Sequence, residues 1–427
     1  MKDIHVFLIN YNIPSDLRKA LTSLNYILPR LNKVAIFDAY GLYLHKSNIP
    51  LRVNIEYVDA QGDLGAILNS YVQTVESEYI MFLFKYDLLL SEVKNIPLTL
   101  EGNEPVMTLH FEGNQLCKWL PLMVRTSFLK NSPFLLEREV PFKEMIFHSW
   151  FMKNFDSGVV KLKQNILGRI REINDITDRE KLNFISKFNR EPYQTISTMP
   201  TLSVMISNFN MEKFIQAAIR SCIAQSLPFD QIIVVDDGST DGSLKLINQL
   251  MAPPNIQCLS KSNEGKAKAL NYILPFLTSE FVLELDADDW LDPDAVLLIK
   301  KHLTNLPQNI PLLYGNLRYW MQKSSGDIGF SKVRKGKRIR NRKELLSYKF
   351  PLGPRIYRTS ALIKEKGFPV INFKEGRLYE DVTILVHLFK KYEFCYEDFT
   401  VYNVRKHDES ITKKNHPDWN DFRKFLT

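Results

Sequence analysis

Apolar positions along the chain fall in short unbroken blocks. Between the blocks, apolar residues recur every three to four positions. The block at residues 4–9 (IHVFLI) precedes an amphipathic stretch that ends near residue 24, and the block at 202–206 (LSVMI) precedes another that ends near 222. Unbroken blocks of this length read as strands buried on both faces, and the spaced stretches read as helices. Strands alternating with helices predict βαβ units around a largely parallel sheet, an α/β fold.

The pattern occurs twice, in the same order. Residues 4–24 (IHVFLINYNIPSDLRKALTSL) match 202–222 (LSVMISNFNMEKFIQAAIRSC), each an apolar block followed by Asn-aromatic-Asn and a helix. Residues 33–38 (KVAIFD) match 231–236 (QIIVVD), both ending in Asp. Residues 66–87 match 268–289 through a shared Leu-Asn and a shared Ser-Glu-aromatic before the next strand, and 124–127 (VRTS) match 357–360 (YRTS). An order kept over four segments points to a tandem duplication. Residues 154–199 carry charged helical periodicity and are expected to form a helical connector, with Pro200 closing it.

Composition narrows the class. The chain has 427 residues, 45% hydrophobic and 24% charged, which excludes a disordered or low-complexity protein. Its four cysteines are scattered, form no Cys-x-x-Cys pair and fit a reducing compartment. The first residues lack a signal-peptide pattern and no run of 18 apolar residues exists, so a cytoplasmic protein without a transmembrane helix is expected. The net charge is +8, and its distribution matters more than its size. Residues 1–150 hold 14 Lys+Arg against 16 Asp+Glu, while 201–427 hold 33 against 26. Residues 331–346 (SKVRKGKRIRNRKELL) alone hold eight basic residues against one acid. This segment is expected to be a solvated basic loop at 332–343. An anionic acceptor or a peripheral contact with an anionic membrane or surface layer competes with that reading. No recognition helix or aromatic platform accompanies it, so a nucleic-acid partner is not expected.

Candidate chemistry gathers in the second copy. The strand at 231–235 runs into Asp236-Asp237-Gly238-Ser239, and ligands of open α/β sheets sit beyond the carboxyl ends of strands. A turn with a helix-capping acid accounts for the same residues. The strand at 281–285 runs into Asp286-Ala287-Asp288-Asp289. Asp286 and Asp288 straddle one residue, so in extended chain both point to one side, and a divalent cation such as Mg²⁺ or Mn²⁺ bridging a diphosphate relieves their repulsion. An acidic surface loop is the bland alternative. Glu380-Asp381 precedes an apolar helix, where acids cap or serve as a general base. His407 stands in a polar loop, as a solvated side chain, a metal ligand or a diphosphate contact.

These segments identify the chain by resemblance. SVMISNFN, VVDDGSTDGS, NEGKAKALN, LELDADDWLDPD, YEDVTILVHL and VRKHDES, in this order between about residues 199 and 411, resemble family 2 glycosyltransferases of the GT-A fold. The resemblance implies inverting transfer of a sugar from a nucleotide-diphosphate donor, a UDP-sugar foremost, to a hydroxyl on a glycan, protein or lipid-linked acceptor. Ser207, Asn208, Asp236, Asp237, Lys266, Asn271 and Asp286 would contact the donor. Asp288, Asp286 and His407 would hold the cation. Asp381, beside Glu380, would deprotonate the acceptor. One departure is Leu270, where many members carry Arg before the Asn of the third motif; Lys266 could supply a cation instead.

The first copy lacks these groups. Phe84-Lys85-Tyr86 stands where the second copy has Asp286-Ala287-Asp288, and the strand at 33–38 leads into Asp38-Ala39-Tyr40-Gly41 with one acid in place of two. No Glu-Asp pair precedes the helix near Lys143-Glu144. The expected organisation is a degenerate, non-catalytic GT-A-like domain at 1–153 that can serve acceptor binding or homo-oligomerisation. The connector at 154–199 and a catalytic GT-A domain at 200–427 follow. The layout of one degenerate and one intact copy also resembles spore-maturation glycosyltransferases of bacilli. The alternative function is a non-catalytic scaffold that binds glycan or nucleotide sugar.

Overall fold

In the computed structural model of the protein, packing divides the chain into two units, Met1–Ser186 and Lys187–Thr427. The structure describes residues 2–38, 41, 51–102, 104–109, 120–154, 160–162, 166–188, 199–323, 326–347, 352–373, 379–408 and 419–426. Ala39, Tyr40 and Cys117, together with the end of the VRKHDES segment, lie outside them.

The first unit contains β1 (Ile4–Ile9), α1 (Pro14–Ser23), β2 (Leu31–Asp38), β3 (Asn54–Asp59), α2 (Leu64–Gln73), β4 (Tyr79–Phe84), β5 (Asp87–Leu89), β6 (Val106–Leu109), β7 (Pro121–Arg125), α3 (Thr126–Asn131), α4 (Met145–Asn154), β8 (Val160–Leu162), β9 (Leu167–Arg169) and α5 (Ile176–Ser186). Its main sheet runs β3-β2-β1-β4-β7-β6-β8, and β5 pairs β9 separately. Both faces of β1 are buried, which is why its apolar run is unbroken. One face packs Val6, Leu8, Val34 and Met81 against Leu17 and Leu21 of α1. The other carries rings, with Phe7 touching Phe37, Tyr71 and Phe82, and Phe147 touching Phe82 and Phe134.

The second unit contains β10 (Leu202–Asn208), α6 (Ile215–Ile223), β11 (Gln231–Asp236), α7 (Ser243–Asn248), β12 (Ile256–Ser260), α8 (Lys266–Ile273), β13 (Phe281–Asp286), β14 (Trp290–Leu291), α9 (Ala295–Leu303), β15 (Leu312–Gln322), β16 (Ile328–Arg334), α10 (Arg342–Ser347), β17 (Arg355–Arg358), α11 (Thr359–Lys364), α12 (Glu380–Phe389), β18 (Cys395–Lys406) and α13 (Trp419–Leu426). Its sheet runs β12-β11-β10-β13-β17-β15-β18-β14, with β16 on β15. Alternation along the strands sends Val204, Ile206, Val234 and Leu283 to α6 and α9 on one side. Met205, Ile233, Val235 and Val282 go to α8, α11 and α12 on the other.

The two sheets share one strand order: three parallel neighbours, a fourth parallel strand, then an antiparallel one. Local contacts repeat with it. Thr126 N donates to Glu78 O and Thr359 N to Glu280 O, both at 2.9 Å. Arg125 lies over the Tyr79 ring at 5.6 Å and Arg358 over Phe281 at 4.5 Å.

Two expectations differ from what is seen. Of the expected connector 154–199, the described residues up to Ser186 belong to the first unit, and residues 189–198 lie outside the described residues. β9 pairs β5 there, and Lys181 of α5 is bound to Glu144 at 2.8 Å. The basic run is not a loop over its whole length. Lys332 and Arg334 lie in β16, paired with Tyr319 and Leu317 of β15, and Arg342 and Lys343 open α10. Between them the backbone is fastened down: Gly336 N donates to Asn316 Oδ1 at 2.9 Å, and the Tyr314 hydroxyl donates to Lys337 O at 2.7 Å. Ile339 is buried in the core, so the run is a docked sheet edge whose charges point outward.

Candidate active site

Parallel pairing brings the carboxyl ends of β10, β11 and β13 into one row. Asn208 stands beside Asp236, and Ser207 stands between Val235 and Asp286. Beyond this row the chain must turn sharply. Gly238 has φ +73°, and a Cβ there would come 2.7 Å from Asn263 N of the loop passing over it, so only glycine fits.

The first two acids are occupied by the protein itself. Asp236 accepts from Asn208 Nδ2 at 2.8 Å, from the Ser239 hydroxyl at 2.6 Å and from Ser239 N at 3.0 Å. Asp237 accepts from Gly265 N at 2.8 Å, Glu264 N at 3.1 Å and Lys261 Nζ at 3.0 Å. Both acids therefore tie the turn after β11 to its neighbours, and Asp237 fixes the loop leading into α8. The side-chain amide oxygen Oδ1 of Asn208 is buried without a partner. Ser207 is half-buried at the row's centre. Asn271 is not brought to the row: its amide donates to Phe368 O at 2.8 Å and accepts from Phe368 N at 2.7 Å.

Lys266, the first residue of α8, reaches into a ring of carboxylates. Its Nζ lies 2.5 Å from Asp286, 3.2 Å from Glu284 and 3.4 Å from Glu380. Burial works against its charge, but the three acids outweigh it and raise its pKa well above the usual lysine range. Leu270 lies one turn further along α8 and is buried in the core, so among the two it is Lys266 that brings a cation to the row.

Glu284 lies in mid-strand. It receives two parallel bonds from Arg355 of β17, both 2.8 Å, and one from the Tyr357 hydroxyl at 3.2 Å. Burial alone would raise its carboxyl; Arg355 and Lys266 prevail and hold it at about 2. The Glu284–Arg355 pair is the floor on which Lys266 and α12 rest. An acid inside an otherwise apolar strand block must be paired, and that is the signal that marks Glu284 in the sequence.

Glu380 and Asp381 form the first turn of α12 rather than preceding it. Asp381 accepts from Val382 N at 2.8 Å and lies 4.0 Å from Arg355. Burial raises the Glu380 carboxyl, Lys266 pulls it back, and Asp381 adds to the rise. Tyr379, just before them, has φ +61°. Its ring stacks on Phe422 of α13 at 4.4 Å and also meets Phe373 and Trp419.

Asp288 and His407 form the fourth element. His407 Nε2 lies 3.0 Å from Asp288 Oδ2, and the imidazole packs on Phe214 at 4.6 Å. Arg405 holds the turn, donating from Nε to Asp288 O at 2.9 Å and from its backbone N to Asp289 at 2.8 Å. Burial lowers Arg405 to about 10. Burial, then the charges of Asp288 and Asp286, push the Asp289 carboxyl well above the usual range. Among the described residues no three metal-ligating side chains converge. Asp286 is paired with Lys266, which leaves Asp288 and His407, 3.0 Å apart, as the two candidate donors. Two such donors fit a cation that completes its shell from diphosphate oxygens and water.

The first unit shows a different arrangement at the matching turn. Lys85 Nζ pairs with Asp178 at 2.7 Å, and the Tyr86 hydroxyl donates to the same oxygen at 2.8 Å.

Comparison with known proteins places the second unit. The family model described as Glycosyl transferase family 2 matches residues 203–364, from β10 to the end of α11. Hyaluronan synthase of Pasteurella multocida is 33% identical over 165 residues, which are 35% of this chain and 16% of that protein. Chondroitin synthase of Pasteurella multocida (strain Pm70) is 36% identical over 107 residues, 25% of this chain and 11% of that protein. The matched region is thus a small part of these relatives. Among solved structures, S. aureus TarS 1-349 in complex with UDP-GlcNAc aligns over 53% of this chain and 65% of that chain, with 22% identity and a TM-score of 0.38.

Proposed function

We propose that the second unit is a glycosyltransferase domain of GT-A fold, in keeping with the family 2 model that matches residues 203–364, and that it transfers a sugar, with inversion, from a nucleoside diphosphate donor to an acceptor hydroxyl. The observation that carries the reading is the gathering of Asp286 and Glu380 around Lys266 at the carboxyl ends of the parallel strands, with the Asp288–His407 pair in the turn just beyond Asp286. The names of the two relatives, hyaluronan synthase and chondroitin synthase, support an acceptor that is itself a glycan. The same strand order and repeated contacts support a tandem origin, with the first unit non-catalytic because Lys85 and Asp178 close the matching turn.

In this reading Asp381 accepts the proton of the acceptor hydroxyl. The freed oxygen pair forms a bond to the anomeric carbon, the bond from that carbon to the diphosphate breaks, and the nucleoside diphosphate leaves with the electron pair. Lys266 is placed to turn from Asp286 towards the departing phosphate. Arg355 fixes Glu284 beneath it. Asp288 and His407 would hold a divalent cation, Mn²⁺ or Mg²⁺, which neutralises charge on the leaving group. Holding acceptor and donor in line supplies much of the acceleration.

The test is a screen of UDP- and GDP-sugars with released nucleoside diphosphate as readout. Asp381→Asn is expected to lower turnover by about 10²–10⁴-fold, the range of general base catalysis, with donor affinity kept. Asp288→Ala is expected to abolish metal-dependent donor binding. Turnover that survives Asp381→Asn places the base elsewhere.

A further inference from the structure

The first unit contains a cavity of about 760 Å³ that the transfer reaction does not use. It lies between the chain that follows β9 and the outward side of α5. Arg169, Arg171 and Arg179 line it, together with Asn174 and the apolar side chains of Ile173 and Leu182. We propose that this cavity binds a carboxylate-bearing sugar of an anionic glycan.

Three features of the lining point to that chemistry. The first is the cluster of guanidinium groups, planar forks that match a carboxylate and never lose their charge. Among the described residues neither Arg169 nor Arg179 has an acid within salt-bridge distance, whereas Arg171 is pinned by Asp16 at 3.1 Å and lies over the Tyr86 ring at 5.1 Å. Glu172 is the one acid of the lining, so the charge there stays positive. The second feature is the mixed wall. Ile173 and Leu182 offer apolar surface to the carbon face of a sugar ring, and Asn174 offers an amide to its hydroxyls. A site for a bare anion needs neither. The third is size, since the cavity falls in the range of ligand pockets and exceeds what a single small anion fills.

The position in the fold adds to this. β9 pairs β5 in the first unit as β18 pairs β14 in the second, and the chain leaving β18 carries His407 beside Asp288. The chain leaving β9 carries Arg171 and Asn174 instead, and Lys85 with Asp178 closes the turn across from it. One end of the same scaffold thus presents a carboxylate and an imidazole in one unit, and guanidinium groups in the other. The inference rests on the first unit's own residues and not on transfer by the second.

The experiment uses the full chain and fluorescence anisotropy with a labelled glucuronate-containing oligosaccharide. Its carboxyl-reduced counterpart and inorganic phosphate serve as competitors. The variant is Arg169→Ala/Arg179→Ala, which leaves the Arg171–Asp16 contact in place, and Arg169→Lys/Arg179→Lys keeps the charge without the fork. The oligosaccharide is expected to bind the native chain, and the alanine variant is expected to weaken it by at least about tenfold through loss of charge-assisted hydrogen bonds. The lysine variant is expected to fall between, and the reduced sugar to compete poorly. Unchanged thermal midpoint and unchanged nucleotide binding in the same samples separate this loss from misfolding or from failure of the second unit. Equal binding by the alanine variant, equal competition by the reduced sugar, or displacement by phosphate at concentrations matching the oligosaccharide overturns the proposal.

Discussion

Two buried groups show how single residues set the response of this protein to its surroundings. His5 lies in β1 among Phe7 and Tyr71, 4% exposed, and its Nε2 finds no partner. Burial, helped by the charge of Lys33, lowers its pKa to about 4. The unfolded chain therefore takes up a proton near pH 6.5 that the folded unit refuses until about pH 4, so stability is full above 6.5 and falls as pH drops between these values. From pH 7 to pH 5 the loss through His5 is about 2 kcal/mol. Urea unfolding at both pH values should show a drop for the native chain that is smaller by this amount in His5→Gln. The Glu284–Arg355 pair is the second case. Arg355→Leu leaves a buried carboxylate with only Lys266 and Tyr357, and is expected to destabilise the second unit by about 3–5 kcal/mol. Glu284→Gln/Arg355→Leu, measured in the same denaturation series, is expected to recover part of that loss. Glu284, an acid inside an apolar strand block, went unread in the sequence although it carries a signal, whereas its partner carries none. Arg355 lies 71 positions away, and nothing local in the sequence names it.

At the scale of elements, α12 is positioned from outside itself. Its first turn carries Glu380 and Asp381, yet the residue before it, Tyr379, sits in the left-handed region that a bulky side chain avoids. The stack on fully buried Phe422 of α13 is what opposes that strain. Phe422→Ala is expected to lower kcat by about ten- to hundredfold through misplacement of Asp381, with donor affinity kept, and Phe422→Tyr is expected to retain most of the rate. A rate unchanged in Phe422→Ala would detach α13 from catalysis. The strands and helices that carry the site were readable because their apolar blocks are unbroken and recur in the same order in both halves. The docking of α13 on Tyr379 was not readable. It depends on aromatic contacts between residues 40 or more positions apart, and such contacts leave no periodic trace. The basic run misled for a related reason. Its charges are evident in the sequence, but the backbone bonds from Asn316 and Tyr314 that fasten it are not.

For the whole molecule, two units of one strand order raise the question of how many nucleotide sites the chain has. Scaffold geometry alone predicts two, since each unit presents parallel strands ending in one row. Side-chain chemistry predicts one. In the second unit the turn after β13 carries Asp288 beside His407 of the chain leaving β18, the pair proposed to hold a cation, whereas the matching turn of the first offers Lys85 held by Asp178 and Tyr86. Burial works against the charge of Lys85, yet its bond to Asp178 raises its pKa, so it stays charged and repels a divalent ion at neutral pH. Lys85→Ala does not create a site, because Asp178 alone lacks a second ligand. Calorimetric titration of nucleoside diphosphate with Mn²⁺ should therefore give one site per chain. Asp288→Ala should remove it, and Lys85→Ala should leave the stoichiometry at one. A second site that survives Asp288→Ala would mean that the first unit recognises nucleotide by groups other than those its fold shares with the second.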